Sequence, residues 1–453
     1  MKAVQLIKCC NIQQAILSDK WYAPLNLIWL ATYLKTYGTE SEILDGIFLS
    51  EEEITQKLTA PIVGINFNVL SIKSMEEIAK IAKTKGSVVV VGGQAATPLA
   101  RQLLMKDKDI DAVVLGDGEE ALLQLTKRVE KGILSFEGIP NIAYRKGKEI
   151  IFSENKQIDL TTLPLPNRRI AGIDMDKYID SFYDTNTDPV LDNVRATNAY
   201  MKKGCPRRVG NHGCSFCARI DRGLRSKTAL QAYEEYAYLI NEFNINYIYD
   251  DSDSWVKPSW MRNLLSLYSE FGELRAKLRV YADVRDINEN SVSMMKDLGV
   301  DTVLVGIESG DERILRINGK PMTKEMIVKA VKLLGGAGIK LCDAYVLGLI
   351  SETKSSVEKT RSLAQQIGHY CERRITYWNV IMPLPGSPIW SAMMDIPQLR
   401  EKYGNEYKFN VEEVQKDYIN HFCHLGTDGY SYLTNTCNYL QSLQNIPLRK
   451  YIR

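Results

Sequence analysis

Short apolar runs separated by amphipathic stretches recur along most of the chain. Val4–Ile7, Ser41–Leu44, Pro61–Phe67, Val88–Val91 and Ala112–Leu115 read as strands, with helices over Leu25–Tyr37 and Lys73–Lys83. In the first helix Leu27, Leu30 and Leu34 share helical spacing, and Gly38 supplies the stop. Strands this uniformly apolar are buried on both faces, as in a Rossmann-like, doubly wound parallel sheet. Ile142–Tyr144 and Glu149–Phe152 flank Arg145-Lys146-Gly147-Lys148 as a hairpin, and Leu163-Pro164-Leu165-Pro166 imposes an extended connector. Alternation then resumes, with strands at Ala199–Lys202, Tyr247–Asp250, Arg279–Ala282, Thr302–Ile307, Lys340–Leu347 and Thr376–Ile381. Six βα units predict a partial (β/α)6 barrel of TIM type, whose chemistry sits at the C-terminal strand ends. The polar, Tyr-rich end of the chain reads as a helical extension packed outside. The expected division is an α/β domain over 1–135, a connector over 136–195, a barrel over 196–398 and an extension over 399–453.

Composition narrows the classes. Hydrophobic residues make up 45% and charged residues 25% of the 453, ordinary values for a globular chain. A formal charge of +2 carries no nucleic-acid footprint, and no apolar run is long enough to span a membrane. The N-terminus reads as a strand, without the pattern of a signal peptide. Nine unevenly placed cysteines suggest metal or redox use in a cytoplasmic protein, and no disulfide frame.

Three of those cysteines lie together, in Cys205-Pro-Arg-Arg-Val-Gly-Asn-His-Gly-Cys214-Ser-Phe-Cys217. Three clustered thiolates without an obvious fourth suit an iron–sulfur cube with one iron left open for a non-protein ligand. The alternative is a zinc site completed by His212. A second cluster of ligand types, His421, Cys423, His424 and Cys437, matches no metal frame and reads as a surface loop. The turns Gly92-Gly93-Gln94 and Gly116-Asp117-Gly118-Glu119 both follow strands, at the edge where such sheets bind ligands.

The segment 204–217 resembles the cluster loop of the radical S-adenosylmethionine (SAM) superfamily. Tyr249-Asp250-Asp251, Gly306-Ile307-Glu308-Ser309-Gly310, Gly348-Leu349-Ile350-Ser351-Glu352 and Pro383-Leu384-Pro385-Gly386 resemble, in order, that family's second-, fourth-, fifth- and sixth-strand motifs. Pro24–Ala31, the two glycine turns and Leu163–Arg168 resemble the subclass with an N-terminal cobalamin-binding domain. The resemblance spans roughly residues 1–395. It implies a [4Fe-4S] cluster on Cys205, Cys214 and Cys217. It implies SAM held by Phe216, Asp250 or Asp251, Glu308, Ser309, Gly348, Glu352, Pro383 and Pro385. Asp253 and Glu352 also read as caps of the helices that follow them. Cobalamin would lie among Asn66, Asn68, Ser71, Gly92, Gly93, Gln94, Gly116, Gly118 and Glu119.

Two departures stand out. Eight residues separate Cys205 from Cys214, where the family usually has three. Closing the longer loop costs only about 1 kcal/mol. Its Arg207, Arg208 and His212 form either a solvated bulge or a substrate-facing set. Asp283 stands where many relatives carry an arginine. Classical cobalamin modules carry a lower histidine for cobalt at a strand end that here reads Asp45-Gly46-Ile47-Phe48, and the chain's first histidine is His212. The radical SAM subclass generally lacks that histidine too, so its absence leaves cobalamin open.

The function implied is reductive SAM cleavage by a cobalamin-dependent methyltransferase acting on an unactivated carbon (or phosphorus) of a small molecule or peptide. An external one-electron donor such as flavodoxin or ferredoxin would serve it. The alternative is a cobalamin-independent radical SAM enzyme for cyclisation, cross-linking or rearrangement, its first domain vestigial. A zinc-bearing binding protein is the reading from another class.

Overall fold

The computed structural model describes residues 2–9, 20–185, 193–210 and 213–443. His212, offered as a zinc ligand or substrate contact, lies outside the described residues.

The first sheet has five parallel strands in the order β2-β1-β3-β4-β5: β1 (Val4–Lys8), β2 (Ser41–Asp45), β3 (Ile62–Asn66), β4 (Val88–Gly92) and β5 (Ala112–Val114). Successive residues feed opposite faces. Val4, Leu6, Val88 and Val90 enter one core, while Ile7, Val89 and Val91 enter the other. A two-sided core explains the unbroken valine run. The hairpin β6 (Ile142–Lys146) and β7 (Glu149–Phe152) joins the β5 edge antiparallel, extending this sheet to seven strands. Strand order reverses direction at β1 and β3, and a cleft opens above their C-terminal ends.

The second sheet begins with β8 (Ala196–Ala199). It ends three residues short of the expected Lys202. The reason is tertiary: Ser252 Oγ accepts from the Met201 and Lys202 amides at 2.9 and 2.8 Å and turns the chain out. Lys202 is wholly buried, its ammonium 3.5 Å from the centre of the Trp260 ring. The next residues form β9 (Lys202–Cys205), a ribbon paired antiparallel with β10 (Gly223–Ser226). Five further parallel strands follow: β11 (Tyr247–Asp250), β12 (Lys277–Ala282), β13 (Val300–Glu308), β14 (Lys340–Leu347) and β15 (Arg374–Val380). The order β15-β14-β13-β12-β11-β8 is that of an open partial barrel. Thr228, Asn288, Thr323, Thr353 and Ser387 each cap a helix after a turn, which fixes where the strands' C-terminal loops end.

The C-terminal extension is helical over Val411–Phe422 and Gly429–Ser442. It borders the barrel mouth: Ser351 donates to the Phe422 carbonyl at 2.7 Å, and Gln415 donates to that of Ile381 at 2.8 Å. Among the described residues, no helix is long and apolar enough to cross a membrane.

Candidate active site

Cys205 ends β9, and Cys214 and Cys217 follow in the same loop; all three are half-buried free thiols. Asn318 clamps the loop. It is fully buried, its carbonyl accepts from the Ser215 amide at 3.0 Å, and its Oδ1 accepts from Ser215 Oγ at 2.7 Å. Through the same side chain it holds both the amide and the carbonyl of Ile350, each at 3.2 Å. On the other side Ile389, near the start of its helix, donates to the Ser215 carbonyl at 3.0 Å. Gly319 has φ +72°, and a Cβ there would stand 2.1 Å from the Gly213 carbonyl oxygen. Only glycine lets the cysteine loop lie this close.

Cations and carboxylates are interleaved around the loop. Arg208 donates to Cys217 Sγ at 3.3 Å. Lys320 pairs with Glu308 at 2.8 Å, and Arg207 donates to Asp283 at 3.2 Å and Asp286 at 2.6 Å. Against the burial that would raise it, hydrogen bonds from Arg285 hold the Asp283 carboxyl well below the usual range. Burial pushes the Cys214 thiol up to about 11, with Lys320 pulling the other way. Among the described residues no three His, Cys, Asp or Glu side chains converge as a single-ion site requires. A cube places each thiolate on a different iron, so it asks for no such convergence. Three free thiols, an all-sulfur donor set and nearby cations fit a cluster with an open iron.

Around the mouth the motif carboxylates separate by role. Asp250 is fully buried and engaged at both oxygens: it accepts from Tyr236 Oη at 2.5 Å, Ser252 N at 2.9 Å and Ser252 Oγ at 2.5 Å. It therefore braces the strand end and is not free to meet an ammonium. Asp251 is the one of the pair without such partners; burial pushes its carboxyl up to about 7, against the pull of Arg279. Ser309, also offered for SAM, is fully buried and tied to Thr360 at 3.2 Å. Glu308 stands at φ +68° with its carboxylate on Lys320, beside the thiols. Glu352 is fully buried; it accepts from Ser356 Oγ and, at 3.3 Å, from the Gly348 amide, so it pins its own turn. Burial pushes it up to about 7. Asp253 also has partners, accepting from Tyr200 Oη and the Gly204 amide, each at 2.7 Å. Pro383 and Pro385 are buried in the loop after β15, and Phe216 packs half-buried against the main core.

The cleft above the first sheet has a volume of about 450 Å³. It gathers Asn66, Asn68, Gly92, Gly93, Gln94, Gly116, Gly118 and Glu119 in one wall. Ser71 does not line it; its hydroxyl accepts from the Asn68 amide at 3.1 Å. Gly93 has φ +111°, and a Cβ there would meet the Phe67 carbonyl oxygen at 2.6 Å. Two buried polar atoms of the wall lack a protein partner, Trp29 Nε1 and Glu119 Oε2. Burial raises the Glu119 carboxyl. A corrin edged with carboxamides offers an acceptor to the first and a donor to the second, so the wall fits that group. Beside the ends of β3 and β4, the cleft is met by the end of β1, with Lys8 and Cys9, and not by that of β2. Asp45 is instead held by Tyr178 Oη at 2.7 Å.

The opposite wall belongs to the barrel: Tyr200, Lys203 and the run Ala218, Arg219, Ile220, Asp221, which directly follows Cys217. The two walls are joined by Asp117, which accepts from Lys203 and, at 2.6 Å, from Arg225. Asn318, Lys320, Lys203 and Arg225 carry no motif spacing, and sequence reasoning missed them.

A Rossmann-type sheet facing the mouth of a partial barrel, with three thiols at the seam, defines a two-cofactor α/β architecture. Residues 202–364 match the radical SAM superfamily and residues 20–126 the B12 binding domain. The chain is a radical SAM enzyme carrying an N-terminal B12-binding domain. It is 26% identical to an uncharacterized methyltransferase, PH0819, of Pyrococcus horikoshii, over 81% of this chain and 77% of that one. It is 24% identical to the anaerobic magnesium-protoporphyrin IX monomethyl ester cyclase of Cereibacter sphaeroides, over 84% of this chain and 62% of the cyclase. The fold is similar to that of the radical SAM methyltransferase TsrM from Kitasatospora setae, solved with cobalamin and a [4Fe-4S] cluster. That match has a TM-score of 0.71 and 18% identity, and covers 87% of this chain and 79% of TsrM.

Proposed function

We propose that the protein is a cobalamin-dependent radical SAM methyltransferase acting on an unactivated carbon or phosphorus of a small molecule or peptide. One observation carries this reading: Ala218–Asp221, continuous with Cys217, form a wall of the cleft whose other wall is the glycine turns of the B12-binding domain. A vestigial domain has no need to keep its ligand edge against the cluster loop.

When bound, the cluster and SAM supply one-electron cleavage of a sulfonium carbon–sulfur bond, and cobalamin supplies a transferable methyl group. The protein's own residues position and insulate. Cys205, Cys214 and Cys217 would hold the iron, with Arg208 donating to the Cys217 sulfur. Asp251 would take the SAM ammonium, and Gly348 and the Pro383–Pro385 loop would shape the mouth. Asn66, Asn68, the glycines of both turns, Gln94 and Glu119 would hold the corrin. The extension borders the mouth and limits entry of water. A small protein donor such as flavodoxin or ferredoxin supplies the electron. The absence of a disulfide among the described residues suits the reducing cytoplasm.

Protein purified with hydroxocobalamin supplied should retain the corrin. After anaerobic reconstitution it should bind iron and acid-labile sulfide and turn over SAM when reduced. Iron loading without corrin retention would favour the second reading, a cobalamin-independent cyclisation, to which the 24% identity with the cyclase lends support. Neither iron nor corrin would refute both.

A further inference from the structure

The barrel strands alternate between two environments. Val280, Val303, Val305, Ile307, Leu341, Tyr345 and Leu347 are buried beneath the helices. Their neighbours Tyr281, Leu304, Gly306, Ala344, Val346 and Tyr377 are half-exposed, so the concave face encloses an open lumen. Arg279 lies on this face and is only 8% exposed. Its guanidinium stands 4.7 Å from the centre of the Tyr249 ring and 5.7 Å from that of Tyr281.

Several other buried cations of the barrel carry a carboxylate: Lys320 has Glu308 at 2.8 Å, Arg374 has Asp343 at 2.5 Å, and Lys227 has Glu235 at 2.5 Å. Lys202 instead donates to the Trp255 carbonyl, and burial pulls its ammonium well below the usual range, a relief closed to a guanidinium. Arg279 has no carboxylate within 4.0 Å among the described residues. The acid that faces it, Asp251, has its carboxyl pushed up to about 7 by burial, so near neutral pH it is only about half ionised and supplies no full counter-charge. The thiol of Cys342, raised by burial, is neutral. A guanidinium cannot shed its proton, and burying it without a counter-charge is strongly unfavourable. Aromatic faces offset only part of that cost. The lumen thus holds a fixed positive charge with no fixed negative partner.

We propose that Arg279 is the anchoring site for an anionic group of the substrate, a carboxylate or a phosph(on)ate. Its planar fork matches either oxyanion with two parallel hydrogen bonds. The anchored end sits in the lumen, and the reacting atom points toward the mouth and the cleft. Naming the ligand a substrate rests on the methyltransferase reading; the anion site itself does not.

The test uses the full chain without cofactors, titrated with inorganic phosphate, acetate and, as a neutral control, acetamide. Binding is followed by aromatic fluorescence and by thermal shift. Phosphate or acetate should give a saturable change that acetamide does not. Arg279→Gln should abolish it, and Arg279→Lys, which keeps the charge and loses the fork, should weaken it about tenfold. Whichever of the two anions binds more tightly assigns the carboxylate or phosph(on)ate class. SAM binding to the iron-loaded protein should be unchanged in Arg279→Lys. A response absent from the wild type, or equal in Arg279→Gln, overturns the proposal. Loss of SAM binding in Arg279→Lys overturns it as well, by giving the cation to SAM. Failure of the radical SAM reading would show instead as absent iron loading with the anion response intact.

Discussion

Replacing Asn318 tests whether one buried amide holds the cysteine loop in place. The side chain makes four hydrogen bonds: from Ser215 Oγ and Ile350 N to Oδ1, and from Nδ2 to the carbonyls of Ile314 and Ile350. Asn318→Ala removes all four. Ser215 is half-buried and can turn to water, and the Ile314 carbonyl keeps the Asn318 amide at 3.1 Å. The Ile350 amide and carbonyl lose their partner. At about 1 kcal/mol per lost bond, with a further penalty for groups left bare, the loss is about 3 kcal/mol. That is more than a 100-fold shift toward an open loop, roughly tenfold per 1.4 kcal/mol. Asn318→Asp is nearly isosteric, yet it points a second oxygen at two carbonyls and should be at least as harmful. Urea unfolding reads the stability, and iron bound per chain after anaerobic reconstitution reads the loop. Both variants should load poorly while far-ultraviolet dichroism stays native. An Asn318→Asp variant that loads iron like the wild type would refute the clamp.

Gly93→Ala forces a Cβ to within 2.6 Å of the Phe67 carbonyl oxygen at positive φ, so it should abolish corrin retention while sparing iron loading. Glu352→Gln isolates a pH effect. The folded pKa of about 7 lies above the ordinary 4.5, so the folded wild type binds the extra proton and its stability falls as pH rises from about 4.5 to 7. The variant lacks that loss and should gain up to about 3 kcal/mol relative to the wild type at pH 8 but little at pH 4, read by urea midpoints at both values. Arg208→Met removes the donor at Cys217 Sγ and should make the cluster's midpoint potential more negative, roughly 40 mV per 1 kcal/mol of hydrogen bonding lost. It should also change the alkylation rate of Cys217 in the iron-free protein.

Much of the architecture was legible because apolar runs report two-sided burial directly, as at Val88–Val91. Side-chain direction at strand ends was not. Asp250 and Asp251 are adjacent acids, and only the fold shows that Tyr236 and Ser252 fill the first. Ser309 and Ser71 sit beside glycine- or asparagine-rich turns, yet Thr360 and Asn68 engage their hydroxyls. The first barrel strand slipped by three residues because Ser252 and Trp260, some fifty residues on, decide where the chain turns. Asn318 and Lys320 act alone, without spacing that a pattern could catch. Arg279 did leave a trace: in Lys277–Ala282 it alternates with Leu278 and Val280, placing a charge on the lumen side of a buried strand.

Asp117 has a consequence for engineering. A single carboxylate from the glycine turn of one domain accepts Lys203 and Arg225 from both strands of the ribbon that carries Cys205, while Arg225 also reaches Asp221. The corrin shelf and the iron-bearing ribbon therefore move as one body. A chimera that exchanged the first domain for a relative's would have to keep a carboxylate at position 117 to meet the retained Lys203 and Arg225, or lose the register between its two cofactors before any substrate was offered.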